Sequence, residues 1–175
     1  MSDRALSPRV RTTLRAALAA WVVLLAVVLL APSSAGPDWV IAHLAQALQA
    51  LGLPDVLTSF GRVESMLNVV AFVPLSLLGS LLWPRPSWRD WTAVGFVASF
   101  LVEVVQAVAL DARQATHADV VANTVGTLVG ALLALLVRRV LASRASRASR
   151  AARTSEGGAD LPDRNASTEE LEPPR

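Results

Sequence analysis

Four stretches of about 20 mostly apolar residues dominate the chain, each long enough to cross the hydrocarbon core of a bilayer as an α-helix. They run from Leu14 to Ala31, Glu64 to Trp83, Trp91 to Leu110 and Asp119 to Val137. Water is absent at that depth, so the backbone must satisfy its own hydrogen bonds, and isolated runs of this length do so only as helices. The expected fold is all-α, a polytopic membrane four-helix bundle over residues 14–141, between a cytoplasmic tail over 1–13 and a disordered cytoplasmic tail over 142–175. With 53% hydrophobic residues in a chain of 175, one membrane domain accounts for the protein and no soluble core is needed.

The arginines orient the bundle. Arg4, Arg9, Arg11 and Arg15 lie before or at the start of the first span, Arg85 and Arg89 sit in the second connection, and Arg138, Arg139, Arg144 and Arg147 follow the fourth. Only Arg62 and Arg113 fall in the other two connections. The positive-inside rule then places both termini and the Trp83–Trp91 turn in the cytoplasm, with Trp83, Trp88 and Trp91 at headgroup level. The net charge is only +2, so these clusters speak for topology and attraction to anionic lipid, and no nucleic-acid partner is expected. Absence of cysteine excludes disulfides, lipid-modified cysteine and thiol catalysis. The first run, with Arg4, Arg9 and Arg11 before it and Ser34-Ala35-Gly36 after it, also fits a cleaved secretory signal, so a retained span and a leader both stand.

The first external connection, Pro32 to Val63, is too long for a simple turn. Asp38 can cap a helix with apolar positions Ile41, Leu44, Leu48 and Leu51, stopped by Gly52 and Pro54, while His43, Gln46 and Gln49 fall on another face. This reads as an extra amphipathic helix on the surface or over the bundle, with an ordinary covering loop as the alternative. Beyond Leu141 the Ser-Arg-Ala repeat and then Gly157, Gly158, Pro162, Pro173 and Pro174 give a composition too poor in apolar residues to offset ordering entropy. Its basic part suits the anionic inner leaflet.

Polar residues inside the oily runs are the candidates for function, because each charge there costs about 2.5–3.5 kcal/mol on insertion scales. The second span carries Glu64 and Asn68, the third Glu103 and Gln106, and the fourth Asp119 and Asn123. Their three- and four-residue spacings put each pair on one helix face. At about 1.5 Å rise per residue, Glu103 lies roughly 10 Å and Gln106 roughly 6 Å below the outer end of the third span. The pairs therefore sit at similar depth, and a bundle in which they converge builds one polar pocket toward the external leaflet, with Arg113 above it. Arg113 would hold Glu103 ionised and could grip phosphate in a bidentate fork. Interhelical hydrogen bonding alone is the competing account of Asn68, Gln106 and Asn123. Gly126 and Gly130 form a small-xxx-small ridge for helix packing, Pro74 should kink the second span, and Gly79 eases packing beyond it. His117-x-Asp119 is too small a cluster for a metal, and no cofactor motif is present.

These residues resemble the VanZ-like family of small bacterial membrane proteins, named for a teicoplanin-resistance protein. The resemblance is carried by Asn68-x3-Phe72-Val73-Pro74 with Gly79, then Glu103-x2-Gln106, then Arg113-x5-Asp119-x3-Asn123-x2-Gly126-x3-Gly130. Ser76 and His117 depart from it, where glycine and an aromatic residue are common in the family. The resemblance implies a multi-pass plasma-membrane protein of the bacterial envelope, linked in some members to glycopeptide resistance. Three function classes follow. The first is binding of an amphiphile, either a lipid-linked wall precursor or a lipoglycopeptide. The second is a proton-coupled lipid carrier or flippase built on the embedded Glu103. The third is an acid/base enzyme using Glu103 and Asp119 on a lipid-linked substrate, disfavoured by the lack of any nucleophile, phosphate-loop or metal pattern.

Overall fold

The computed structural model describes residues 7–29, 33, 35–109 and 117–159, and among them the chain is helix and connection without a strand. In order come α1 (Pro8–Leu29), α2 (Ala35–Ala50), α3 (Asp55–Thr58), α4 (Phe60–Leu82), α5 (Trp88–Ala109) and α6 (His117–Ala159). Among the described residues, α1, α4, α5 and α6 are the 4 helices long and apolar enough to cross a membrane, so the expected four-span all-α architecture is observed.

The element ends differ from expectation for local reasons. α1 begins at Pro8, well before Leu14, because Ser7 caps it: its Oγ accepts the Val10 N–H at 3.4 Å and Pro8 takes the first helical position, where no N–H is needed. α2 likewise starts three residues before Asp38, which is a first-turn acid near the positive helix end rather than the cap. Ser33 Oγ instead accepts the Ala35 N–H at 3.2 Å. The helix presents Ile41 inward and leaves Leu44 and Leu51 exposed, and Gly52 closes it at φ 84°, the left-handed conformation glycine adopts without strain. α2 packs on α3 and α4, so it covers the bundle.

Two compact units divide the chain at Val137 and Arg138. In the second, α6 continues through the Ser-Arg-Ala repeat to Ala159, further than the expected span end at Val137. Alanine and arginine are strong helix formers, and Ser143, Ser146 and Ser149 turn their hydroxyls back onto the carbonyls of Val140, Ser143 and Ala145. The first part of the expected tail is therefore helical, and residues 160–175 lie outside the described residues.

The first unit is ordered inside-out relative to a soluble bundle. On α5 the exposed side chains include Val94, Phe96, Val97, Phe100, Leu101, Val104 and Val105, whereas the buried ones include Ser99, Glu103 and Gln106. Among the described residues the largest fully buried side chains are Val63, Asn123, Thr58, Thr127, Ser76 and Ser99. Such an apolar exterior around a small and polar interior is stable in lipid, where apolar packing is not driven by water and close approach of small residues takes its place.

Contacts fix the helix directions. Gly95 meets Thr127 and Ser99 meets Asn123, so α5 and α6 run antiparallel. Asn68 meets Asp119, Phe72 meets Gly126 and Ser76 meets Gly130, so α4 and α6 run parallel. α1 packs on α4, and its Trp21 Nε1 donates to Ala71 O at 2.8 Å, one residue past the Val70 carbonyl that Pro74 leaves without an N–H donor. Pro74 thus lies inside a continuous α4 with a side-chain donor from α1 beside the gap.

Candidate functional site

The polar residues singled out in the sequence come together at the end of the bundle where α4 and α6 begin. Asn68 on α4 donates from Nδ2 to Asp119 Oδ1 on α6 at 2.7 Å. One turn further along α6, Asn123 is 2% exposed and donates from Nδ2 to Ser99 Oγ on α5 at 2.9 Å. Because α5 and α6 are antiparallel, the step from Ser99 to Glu103 and the step from Asn123 to Asp119 run the same way, about 6 Å toward the same end. Glu103 and Asp119 are therefore at one level, with Glu103 8% exposed and facing the interior. Both carboxylates engage in further interactions.

Gln106, 5% exposed, lies nearly one turn beyond Glu103 and donates from Nε2 to Leu29 O at 2.7 Å. That carbonyl belongs to the last turn of α1, where the helix has no N–H left to offer. Gln106 thus ties the end of the first span to the polar cluster and acts as a helix cap from another element. Four helices contribute to one polar assembly. Glu64 is half-buried one turn before Asn68 on α4 and is also engaged. Arg113 falls in 110–116, outside the described residues.

Ser99 was not among the residues the sequence singled out, yet it sits at the centre of the assembly with no exposed surface. Its signal was its place in the periodicity: Ser99, Glu103 and Gln106 fall at i, i+4 and i+7, one polar stripe on an apolar helix. Thr127 continues the corresponding face of α6 and donates to Asn123 O at 2.9 Å. Asn123 Oδ1 is buried and has no hydrogen-bond donor among the described residues. Rotating the amide would exchange its two polar atoms and leave the nitrogen open in its place. A buried polar atom left open costs about 1–3 kcal/mol.

Below the assembly the seam is closed by the glycines. A Cβ on Gly126 would collide with Val69 O and Phe72 of α4, and one on Gly130 with Ser76 Oγ and Val73 O. A Cβ on Gly79 would come within 2.5 Å of the Trp91 ring of α5. These positions let backbones approach closely and offer no polar side chain. Among the described residues no group of three or more His, Cys, Asp or Glu could hold a metal ion.

In comparison with known proteins, the family model described as VanZ/LLP1 matches residues 17–138, more than half of the chain and all of the assembly. No curated protein and no solved structure matches the chain.

Proposed function

The chain belongs to the VanZ/LLP1 family, and from that premise we propose that it is a multi-pass protein of the bacterial plasma membrane, with both termini cytoplasmic, that binds an amphiphilic ligand in the polar assembly of Asn68, Ser99, Glu103, Gln106, Asp119 and Asn123. The ligand class is a lipid-linked cell-wall precursor or a lipoglycopeptide, and Arg113 supplies the cation for its phosphate or carboxylate. In this reading the pocket opens to the external leaflet, and binding there links the protein to glycopeptide resistance in the envelope.

The observation that carries the proposal is the open, buried Asn123 Oδ1, one turn from the level of Glu103 and Asp119 in an otherwise apolar bundle. Structural hydrogen bonding explains Asn68 with Asp119 and Gln106 with Leu29. It leaves an acceptor atom of Asn123 over, and an amide or hydroxyl of a ligand headgroup completes it. The test is binding of a lipid II-type precursor and of a lipoglycopeptide to the purified full chain. Asn123→Leu and Arg113→Ala are expected to weaken it at least tenfold while the protein stays folded. Unchanged affinity in both variants would reject the assignment. In cells, a deletion strain complemented with Glu103→Gln or Arg113→Ala should regain membrane abundance without regaining glycopeptide tolerance.

A further inference from the structure

A second feature lies on the opposite, lipid-facing side of the α4–α6 seam. A groove of about 480 Å³ runs between the two helices from Arg62 and His117 down to Val69 and Val125. That volume is within the range of small-ligand pockets. Its existence follows from the sequence: Ala118 and Ala122, one turn apart on α6, leave a trough that the flanking Met66 and Val121 do not fill. Met66, Val121 and Val125 are 49%, 62% and 41% exposed, so the trough opens outward, away from the buried Asn123.

The two ends of the groove differ in chemistry. Arg62 and His117 stand exposed at the mouth, and among the described residues neither side chain is bonded to another. The carboxylates nearest in sequence, Glu64 and Asp119, are each two residues along their helices and so turned to the far side, where Asp119 meets Asn68. Among the described residues the charge of Arg62 at the mouth is therefore uncompensated. Below it, Met66, Val69, Val121 and Val125 make an apolar floor and walls. Seven residues from Arg62 to Val69 and eight from His117 to Val125 span about 10 and 12 Å. One leaflet contributes about 15 Å of hydrocarbon, so the groove is as deep as the upper part of one acyl chain.

We propose that this groove is a binding site for one anionic glycerophospholipid, its phosphate held between Arg62 and His117 and one acyl chain laid along the Ala118–Ala122 trough. Charge complementarity selects the occupant. A guanidinium forks onto a phosphodiester and, among the described residues, meets no competing carboxylate, whereas a zwitterionic lipid brings its own cation to a site already positive. The site is separate from the polar assembly and does not depend on the ligand proposed there.

The experiment is native mass spectrometry of the full chain in detergent, titrated with phosphatidylglycerol or with phosphatidylcholine of the same acyl chains. The first phosphatidylglycerol adduct is expected at about tenfold lower lipid concentration than the first phosphatidylcholine adduct. Arg62→Gln with His117→Gln should erase that preference. Arg85→Gln with Arg89→Gln, which alters two basic residues at the opposite end of α4, should keep most of it. Ala118→Leu, at an exposed position, fills the trough and should weaken both lipids several-fold. Equal affinity for the two lipids, or equal losses in the two charge variants, would overturn the proposal. So would an Ala118→Leu protein that binds like wild type. Glu103→Gln should leave lipid retention unchanged, so failure of the groove and failure of the polar pocket read out separately.

Discussion

The two halves of the bundle are held together by different means. In the half near the Trp83–Trp91 turn, glycines give way to what crosses them: Gly79 lies under the Trp91 ring, and Gly130 lies against Ser76 and the Val73 carbonyl. In the half where α4 and α6 begin, side chains reach across as hydrogen-bond partners, Asn68 to Asp119, Asn123 to Ser99 and Gln106 to Leu29. Lipid gives helices no hydrophobic reason to associate, so close packing of small residues is sufficient for stability. The polar half is not required for that purpose, and interhelical hydrogen bonds return little, about 0.6 kcal/mol on average. Its concentration of polar side chains, with Glu103, Gln106 and Asn123 buried, is what the binding proposal draws on.

The comparison breaks first at the glycines. Gly130→Leu forces a side chain into the backbone of α4, which cannot yield as a flexible side chain can. A loss of about 3 kcal/mol or more is expected, read as disappearance of the monodisperse protein from membrane extracts or as a lowered unfolding midpoint in steric-trap assays. Gly79→Ala meets the Trp91 ring rather than backbone, and the ring can tilt, so about 1–3 kcal/mol is expected in the same assay. If Gly79→Ala proved the worse of the two, the seam between α4 and α6 would not be the backbone contact described here.

The polar half should respond in the opposite sense. Asn123→Leu removes a hydrogen bond to Ser99 together with a buried atom that has no donor, and the two effects offset. Stability within about 1 kcal/mol of wild type is expected, alongside the loss of ligand binding. A variant that kept binding but lost 3 kcal/mol or more would turn Asn123 into a packing residue and erase the distinction between the halves.

How far the sequence reaches follows the same division. The four spans were legible because length and hydropathy alone decide what can cross a bilayer, and the glycine ridge because its four-residue spacing is a packing signal. Asn68 and Asp119 were legible as residues of similar depth, but their bond was not, since depth says nothing about rotation of one helix against another. Ser99 was passed over because a lone serine in an apolar helix is ordinary. Only its register with Glu103 and Gln106 gives it weight. α3 escaped notice because four residues between Pro54 and Ser59 carry no periodicity. The early start of α1 was hidden by arginines that ended the apolar run at Leu14, although Ser7-Pro8 marks the cap. The helical Ser-Arg-Ala segment shows the limit of composition: low apolar content argues against a packed core, while alanine and arginine still favour the helix itself.

The smallest effect tests the join between the halves. Trp21 of α1 reaches Ala71 O at 2.8 Å, midway along α4 between Asn68 and Gly79 and beside the break that Pro74 makes in the hydrogen-bond ladder. The contact contributes to the bundle where the first span is retained, which intact mass measurement of the membrane-extracted protein reads directly. Trp21→Phe keeps the ring and removes the N–H, and is expected to cost about 0.5–1.5 kcal/mol, near the size of an average interhelical bond. Because Leu29 of α1 meets Gln106 of the polar half whereas Trp21 meets α4 further down, Trp21→Phe should leave ligand binding unchanged, whereas Gln106→Leu should weaken it by loosening the same helix at its other end. Equal effects of the two variants on binding would mean that α1 acts as one rigid strut and that the halves are not mechanically distinct.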